Sequence, residues 1–179
     1  MKGRELLIGV TGGIAAFKTA ALVSRLVQAG AGVSVVMTRS ATELVGPKTF
    51  EALTGRPVGL ETFGPSPHPH IEMAERAELV CVAPATANIL AKAAFGLADD
   101  LLSTVLLAFT GPVVMAPAMN DRMWEKAAVR RNVEQLRADG VHFVEPEEGY
   151  LSCGSCGAGR MASPEAIFDA IQKLLKPKK

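Results

Sequence analysis

The fold of this chain is decided near its start by the stretch Leu6-Leu-Ile-Gly-Val-Thr-Gly-Gly-Ile14. A short apolar run next to glycines is typical of a buried strand, and a helical pattern of apolar residues follows over residues 15–28. Glycines between a strand and a helix let the backbone approach a phosphate, and the N–H groups and dipole at the helix start favour negative charge. The stretch therefore predicts a strand, an anion-binding loop and a helix, with a ligand-free tight turn as the alternative.

The same alternation of strands and helices continues along the chain. Further apolar runs occupy residues 32–37, 79–83, 112–116 and 141–145, as in strands covered on both faces by crossover helices. The last helix is predicted to begin at Pro164 with Ser163 as its N-cap. We predict one α/β domain over residues 1–179 with a parallel sheet, whose ligand binds outside the carboxyl ends of the strands.

Composition excludes several functional classes. The chain has 179 residues, of which 49% are apolar, and its net charge of +1 leaves no basic surface for nucleic acid. The uncharged residues 101–120 are interrupted by Gly111-Pro112 and Pro117, which favours a helix, a turn and a strand over a membrane span. Three cysteines argue against a disulfide framework. We expect a cytoplasmic protein that binds a small molecule and neither nucleic acid nor membrane.

The loop after the second predicted strand contains Thr38, Arg39 and Ser40. A fold that binds NAD normally has an acidic residue here for the ribose hydroxyls, and this loop has none. Hydroxyl and cationic donors suit a phosphate better. The loop therefore favours a mononucleotide, while an NADP 2′-phosphate or an ordinary polar turn are the alternatives.

Two later loops also follow predicted strands. Residues 83–88 are small enough for a flat ring to lie against the backbone, and Thr86 and Asn88 could bond its edge. N-capping by Thr86 is the alternative. Residues 117–124 contain two methionines and Trp124, which we expect to wall a pocket, and Asn120, whose amide can donate two hydrogen bonds. A structural turn is the alternative for this loop.

The histidines and cysteines leave several interpretations open. A lone histidine before a helical segment, such as His70, is usually a polar cap. Cys153 and Cys156 have the spacing of a zinc or redox motif. A zinc site would need two more ligands, and Cys81 is a poor candidate because it lies within a predicted buried strand. A thioredoxin-like redox motif is expected near the first strand–helix junction, whereas this one comes late in the chain. We therefore favour a catalytic thiol on a glycine-rich loop.

Five motifs occur in the order found in the homo-oligomeric flavin-containing cysteine decarboxylases, which the chain resembles nearly end to end. The resemblance implies a Rossmann-like three-layer α/β/α sandwich with a six-stranded parallel sheet, bound FMN, and assembly into trimers or dodecamers. Among family members, the chain is most similar to those that decarboxylate 4′-phosphopantothenoylcysteine to 4′-phosphopantetheine in coenzyme A biosynthesis. The motifs are Gly9-x-Thr-Gly-Gly-Ile-Ala-Ala-Phe-Lys18, His70-Ile71, Ala83-Pro-Ala-Thr-Ala-Asn88, Pro117-Ala-Met-Asn-x-x-Met-Trp124 and Cys153-Gly-x-x-Gly-x-Gly-Arg-Met161.

The resemblance also implies roles for individual residues. His70 would be the base, Asn120 the ligand of the substrate carboxylate, and Cys153 the acid, with no metal involved. Further substrate contacts would come from Met119, Tyr150, Leu151 and Ser152. FMN would be bound by Gly12, Gly13, Ile14, Thr38, Ser40, Thr86, Ala87, Asn88, Ile89 and Ala118.

One departure from the family pattern bears on specificity. Family members often have an acidic residue after Cys-Gly, whereas this chain has Ser155 followed by the extra Cys156. Substrate preference on this loop therefore stays open.

In the implied reaction the flavin would take up the two electrons lost when the thiol-bearing carbon becomes a thioaldehyde, and CO2 would then leave. Cys153 would protonate the resulting enethiolate, and the flavin would return the two electrons to give the thiol product. A peptidyl-cysteine decarboxylase of lantibiotic maturation is the enzymatic alternative, and a non-catalytic flavin-binding regulatory subunit is the other. A flavin prenyltransferase is disfavoured, because the His70, Asn120 and Cys153 motifs are not expected together there. In many bacteria the decarboxylase is fused to a synthetase domain that this sequence does not resemble, so we expect a stand-alone enzyme or a separated part of such a fusion.

Overall fold

The computed structural model describes residues 1–63, 67–150, 154 and 156–175. Its main sheet has five parallel strands in the order β2-β1-β3-β4-β5. A separate antiparallel hairpin pairs β6 with β7. The strands are β1 (Glu5–Val10), β2 (Gly32–Met37), β3 (Leu79–Ala85), β4 (Val113–Pro117), β5 (His142–Phe143), β6 (Glu147–Tyr150) and β7 (Cys156–Arg160).

Helices cover both faces of the main sheet. Helices α1, α3 and α9 pack on one face, around Leu22, Phe50 and Ile167, and helices α4, α5, α6 and α8 pack on the other. This arrangement confirms the predicted Rossmann-like α/β/α sandwich. The helices are α1 (Ala16–Gln28), α2 (Arg39–Thr42), α3 (Pro47–Thr54), α4 (Pro69–Arg76), α5 (Ala87–Phe95), α6 (Leu101–Ala108), α7 (Asp121–Trp124), α8 (Ala127–Ala138) and α9 (Pro164–Leu174).

The prediction of a six-stranded sheet is wrong by one strand, whereas the five strands expected from the apolar runs are present. Along the free edge of β2 the chain forms only an isolated parallel bridge, between Val36 and Gly59. Gly59 donates to the Val35 carbonyl and accepts from the Met37 N–H, each at 2.9 Å. Pro57, two residues earlier, has no N–H to extend this pairing.

Local signals in the sequence place several helix ends correctly. Helix α9 begins at Pro164, and the Ser163 hydroxyl accepts a hydrogen bond from the Ala166 N–H at 3.1 Å. Residues 101–120 form a helix, a turn and a strand as predicted. Within the ranges given above, no helix has both the length and the apolar character needed to cross a bilayer.

The order of the strands determines where a ligand can bind. After β1 the chain crosses to β2 on one side, and β3 then pairs with β1 on the other side. The carboxyl ends of β1 and β3 therefore flank the point at which the strand order reverses, where helices leave on opposite faces and a crevice opens.

Candidate functional site

A cavity of about 650 Å³ opens at this reversal point, and we call it the switch-point cavity. Its walls come from the loops after β1, β3 and β4, from α1 and from the β6–β7 hairpin, so four of the predicted motifs meet there. This is the edge of the sheet at which the sequence predicts a ligand. The lining residues are Gly12, Gly13, Ile14, Ala15, Phe17, Lys18, Thr86, Ala87, Ala118, Met119, Asn120, Met123, Tyr150, Gly159, Arg160 and Met161.

The glycine loop (residues 11–14) lies against the loop after β2. A Cβ atom on Gly12 would lie 2.4 Å from Cβ of Ser40, so only glycine fits there. Next to this contact, the Thr38 hydroxyl oxygen is buried and has no hydrogen-bond partner among the residues described. A buried polar group without a partner costs about 1–3 kcal/mol, which a bound phosphate oxygen would offset. The two loops thus have the glycine and hydroxyl chemistry of a phosphate site.

The threonine loop (residues 83–88) packs tightly on the glycine loop. A Cβ atom on Gly13 would lie 3.3 Å from Cγ of Pro84 and 3.4 Å from Cγ2 of Thr86. Thr86 precedes α5, but its side chain makes no capping bond and instead lies 3.3 Å from the Thr11 hydroxyl oxygen. N-capping, the alternative explanation for Thr86, is therefore wrong.

Three other predicted flavin contacts follow on this loop and on α5. Ala87 lines the cavity, whereas Asn88 is exposed and does not line it. Ile89 is 1% exposed and belongs to the core beneath α5. Its side chain therefore serves packing, and only its backbone is available to a ligand.

The asparagine loop (residues 117–124) brings Asn120 to the cavity wall. Its carboxamide oxygen accepts a hydrogen bond from the Arg122 N–H at 2.9 Å, which fixes the orientation of the amide. Met119 and Met123 also line the cavity as predicted. Trp124 does not, because it is 3% exposed and packs under α8 with the Arg130 guanidinium 4.7 Å from its ring centre. The prediction that Trp124 walls the pocket is wrong.

The β6–β7 hairpin lies flat on the asparagine loop through its glycines. The Met119 N–H donates to the Gly159 carbonyl at 3.0 Å, and a Cβ atom on Gly159 would lie 2.3 Å from the Met119 carbonyl oxygen. This contact places Tyr150, which is 72% exposed, at the cavity rim. The predicted site residues Leu151, Ser152 and Cys153, together with Ser155, lie outside the residues described.

Two cations also line the cavity. Lys18 comes from α1 and Arg160 from β7. Burial lowers the pKa of the Lys18 ammonium, and the positive charge of Arg160 lowers it further, while Glu147 acts in the opposite direction. Within the described part of the chain, neither cation forms a salt bridge. Lys18 and Arg160 both belong to motifs that the chain shares with the cysteine decarboxylases, but no role was predicted for either.

The structure does not bring His70 together with Asn120. His70 is on α4, which packs against α6 on the face of the sheet opposite α1, and it does not line the switch-point cavity. Its Nδ1 atom is buried without a hydrogen-bond partner in the described ranges. A single copy of the chain therefore assembles only part of the predicted catalytic set.

Cys81 lies in the centre of β3 and is fully buried. Burial raises the pKa of its thiol to about 12, so it remains protonated and unreactive at neutral pH. Elsewhere in the described ranges, no group of three or more His, Cys, Asp or Glu side chains could hold a metal ion.

The chain is similar to several known proteins. A family model described as Flavoprotein matches residues 1–176. The coenzyme A biosynthesis bifunctional protein CoaBC of Bacillus subtilis (strain 168) is 51% identical over 176 residues, which cover 97% of this chain and 43% of the relative. The chain thus spans less than half the length of this relative.

Two solved structures share the fold over almost their whole length. The FMN-dependent cysteine decarboxylase SpaF has a TM-score of 0.83 and 37% identity, covering 96% of this chain and 97% of its own. A cysteine-to-serine mutant of a PPC decarboxylase, complexed with pantothenoylaminoethenethiol, has a TM-score of 0.85 and 29% identity, covering 97% and 98%. Together with the family match over residues 1–176, these similarities establish that the chain belongs to the flavoprotein family.

Proposed function

We propose that this chain binds FMN and decarboxylates 4′-phosphopantothenoylcysteine to 4′-phosphopantetheine in the cytoplasm, as a step of coenzyme A biosynthesis. The observation that carries the proposal is the switch-point cavity, which brings the glycine loop together with Asn120 and a pair of cations. Ser40 packs against Gly12 of this loop, and the buried Thr38 hydroxyl lies in the same loop as Ser40. The names of the CoaBC relative and of the PPC decarboxylase point to the same reaction.

The residues of the cavity, together with Thr38 and Ser40 of the adjoining loop after β2, fit FMN. The orphaned Thr38 hydroxyl and the close approach of Ser40 to Gly12 suit the phosphate, and the small side chains of Ala87 and Ala118 leave room for a flat ring. On this proposal Gly12, Gly13, Ile14, Thr38 and Ser40 hold the phosphate, while Thr86, Ala87, Asn88, Ala118 and the backbone of Ile89 contact the rest of the flavin.

Bound FMN would supply the electron acceptor that makes loss of CO2 from a cysteine carboxylate feasible. The protein's own residues then hold the substrate and move protons. The neutral amide of Asn120 orients the carboxylate without the ionic stabilisation that a guanidinium would give to a ground state that must be lost. His70 accepts the thiol proton, and Cys153 protonates the carbon from which CO2 has left.

The cation pair favours a phosphorylated substrate over a peptide. Lys18 and Arg160 have like charges, and burial lowers the pKa of Lys18, so an anion bound between them would relieve both desolvation and repulsion. A phosphate provides that anion, whereas a peptide that ends in cysteine has no second anionic group at a fixed distance. We therefore assign the phosphate of the substrate to these two side chains.

Replacing either cation with glutamine tests this assignment. Lys18→Gln and Arg160→Gln are expected to raise KM for phosphopantothenoylcysteine by about tenfold or more, because each removes a charge-assisted hydrogen bond. KM for pantothenoylcysteine, which lacks the phosphate, should change little. Lys48→Gln, on the exposed surface of α3, is the matched control. Equal losses with both substrates would contradict the assignment.

We also propose that the active unit is a homo-oligomer, a trimer or a dodecamer, in which His70 of a neighbouring copy completes the site. The cavity holds Asn120 but not His70 of its own chain. Ile14, Phe17 and Met123 line it with exposed apolar surface, and Phe17 is 62% exposed. Bound flavin and an adjacent subunit together would cover this surface.

The direct test is to assay the purified protein with its proposed substrate. We expect a yellow protein with one FMN per chain that forms 4′-phosphopantetheine and CO2 in equal amounts, measured by mass spectrometry and CO2 release. Asn120→Ala, which keeps the flavin but loses the carboxylate ligand, should be inactive. Tightly bound FAD or NADP without FMN would contradict the cofactor. Flavin without turnover would indicate a regulatory subunit, and turnover of a cysteine-terminated peptide alone would indicate the lantibiotic-type activity.

A further inference from the structure

Thr11 links the two loops that flank the switch-point cavity. It directly follows β1 as the first residue of the glycine loop, and it is 2% exposed. Its hydroxyl donates to the Pro84 carbonyl at 2.6 Å and accepts from the Thr86 N–H at 3.3 Å. The Thr86 hydroxyl oxygen is also 3.3 Å away. One buried side chain thus makes three polar contacts with the threonine loop.

The glycine loop and the threonine loop are closely packed against each other. Pro84 and Thr86 are already at contact distance from the position that a Cβ on Gly13 would take. On the proposed function, the glycine loop holds the phosphate of FMN and the threonine loop contacts its ring system. One ligand therefore contacts both loops at once, and its affinity depends on the two loops being held in place relative to each other.

We propose that Thr11 is a positioning residue for the flavin: its hydroxyl holds the threonine loop at the distance from the glycine loop that bound FMN requires. Thr11 does not line the cavity, so it acts through Thr86 and the backbone of Pro84. The inference rests on the proposed flavin site but not on the identity of the substrate.

The chain contains a matched control for this role. Thr19, in α1, is 0% exposed, and its hydroxyl donates to the Ala83 carbonyl at 2.7 Å. The bond resembles that of Thr11 in donor, burial and length, but it joins the first residue of the threonine loop to α1 and not to the glycine loop. Thr19 neither lines the cavity nor contacts the glycine loop by this bond. Thr19→Val therefore removes a comparable buried hydrogen bond without releasing the two loops.

The experiment compares the holoproteins of Thr11→Val, Thr11→Ser and Thr19→Val with wild type. The fluorescence of free flavin, which returns on dilution, measures FMN release. Visible circular dichroism reports the environment of the bound flavin, and thermal unfolding measures the stability of each variant. We expect Thr11→Val to weaken FMN binding by about tenfold or more and to change the flavin spectrum, as for the loss of a buried hydrogen-bond set. Thr11→Ser should restore both, and Thr19→Val should lower the unfolding temperature without changing affinity or spectrum.

Equal effects of Thr11→Val and Thr19→Val on FMN affinity, or an unchanged affinity of Thr11→Val, would overturn the inference. If Thr11→Val does not fold, Thr11→Ala removes the same bonds without a larger apolar side chain and takes its place. Wild-type protein that binds no FMN would overturn both this inference and the proposed function. Wild-type protein that binds FMN without decarboxylating the substrate would overturn the proposed function alone.

Discussion

Mixed oligomers of His70→Asn and Asn120→Ala subunits are expected to recover activity that each variant lacks on its own. Asn120 lines the switch-point cavity and His70 of the same chain does not, so each complete site would use His70 from one copy and Asn120 from its neighbour. An Asn120→Ala subunit beside a His70→Asn subunit would supply one intact pair. With random mixing, about a quarter of all sites would be intact, and about a third in trimers selected to contain both variants, because each site draws its two residues from different copies.

Co-expression of the two variants with different affinity tags, followed by purification over both, isolates the mixed assemblies for a CO2-release assay. Mixed oligomers of Asn120→Ala and Asn120→Ser are the matched control, since neither subunit has a carboxamide at this position. Mixed oligomers as inactive as their parents, although shown by light scattering to be assembled, would contradict a shared site. A fully active monomer at micromolar concentration would contradict the oligomer itself.

Much of the fold could be predicted from local patterns. The strand and loop of residues 6–14 are found as expected, and α9 begins at Pro164 with the Ser163 cap. These features are set by neighbours in sequence: apolar runs, glycines before a helix, and a hydroxyl three residues from the N–H that it caps. The resemblance to flavin-containing cysteine decarboxylases is confirmed by the family match and by the solved relatives.

The wrong predictions for the site concern side chains whose orientation is set by elements distant in the sequence. Trp124 stands in a loop motif that predicts a pocket wall, but α8 follows closely enough to bury its ring beneath Arg130. Thr86 occupies a helix start, yet its hydroxyl lies next to Thr11, 75 residues away. The role of Thr11, inside the glycine motif, could not be predicted from the sequence, because its partners Pro84 and Thr86 are 73 and 75 residues away. No local pattern contains such contacts.

Serine in place of Cys153 is expected to divide the reaction into two halves. Cys153 is proposed to act only after CO2 has left, when it protonates the enethiolate carbon, and a hydroxyl is a much weaker acid than a thiol. Cys153→Ser should therefore release CO2 once, lose its yellow colour and form an enethiol two hydrogens short of the normal product. A related PPC decarboxylase with a cysteine-to-serine change is complexed with pantothenoylaminoethenethiol, which supports this expectation.

The neighbouring thiol provides the control for this experiment. Cys156 begins β7, three residues after Cys153, and Cys156→Ser should give normal product at nearly the wild-type rate. The variants His70→Asn and Asn120→Ala should both stop the reaction before CO2 is released. When it is mixed with substrate under anaerobic conditions, His70→Asn should also remain yellow, because the flavin stays oxidised. High-resolution mass spectrometry of the product, together with visible absorption, separates the three stages. Normal product from Cys153→Ser and the dehydrogenated product from Cys156→Ser would show that the acid is Cys156 and not Cys153.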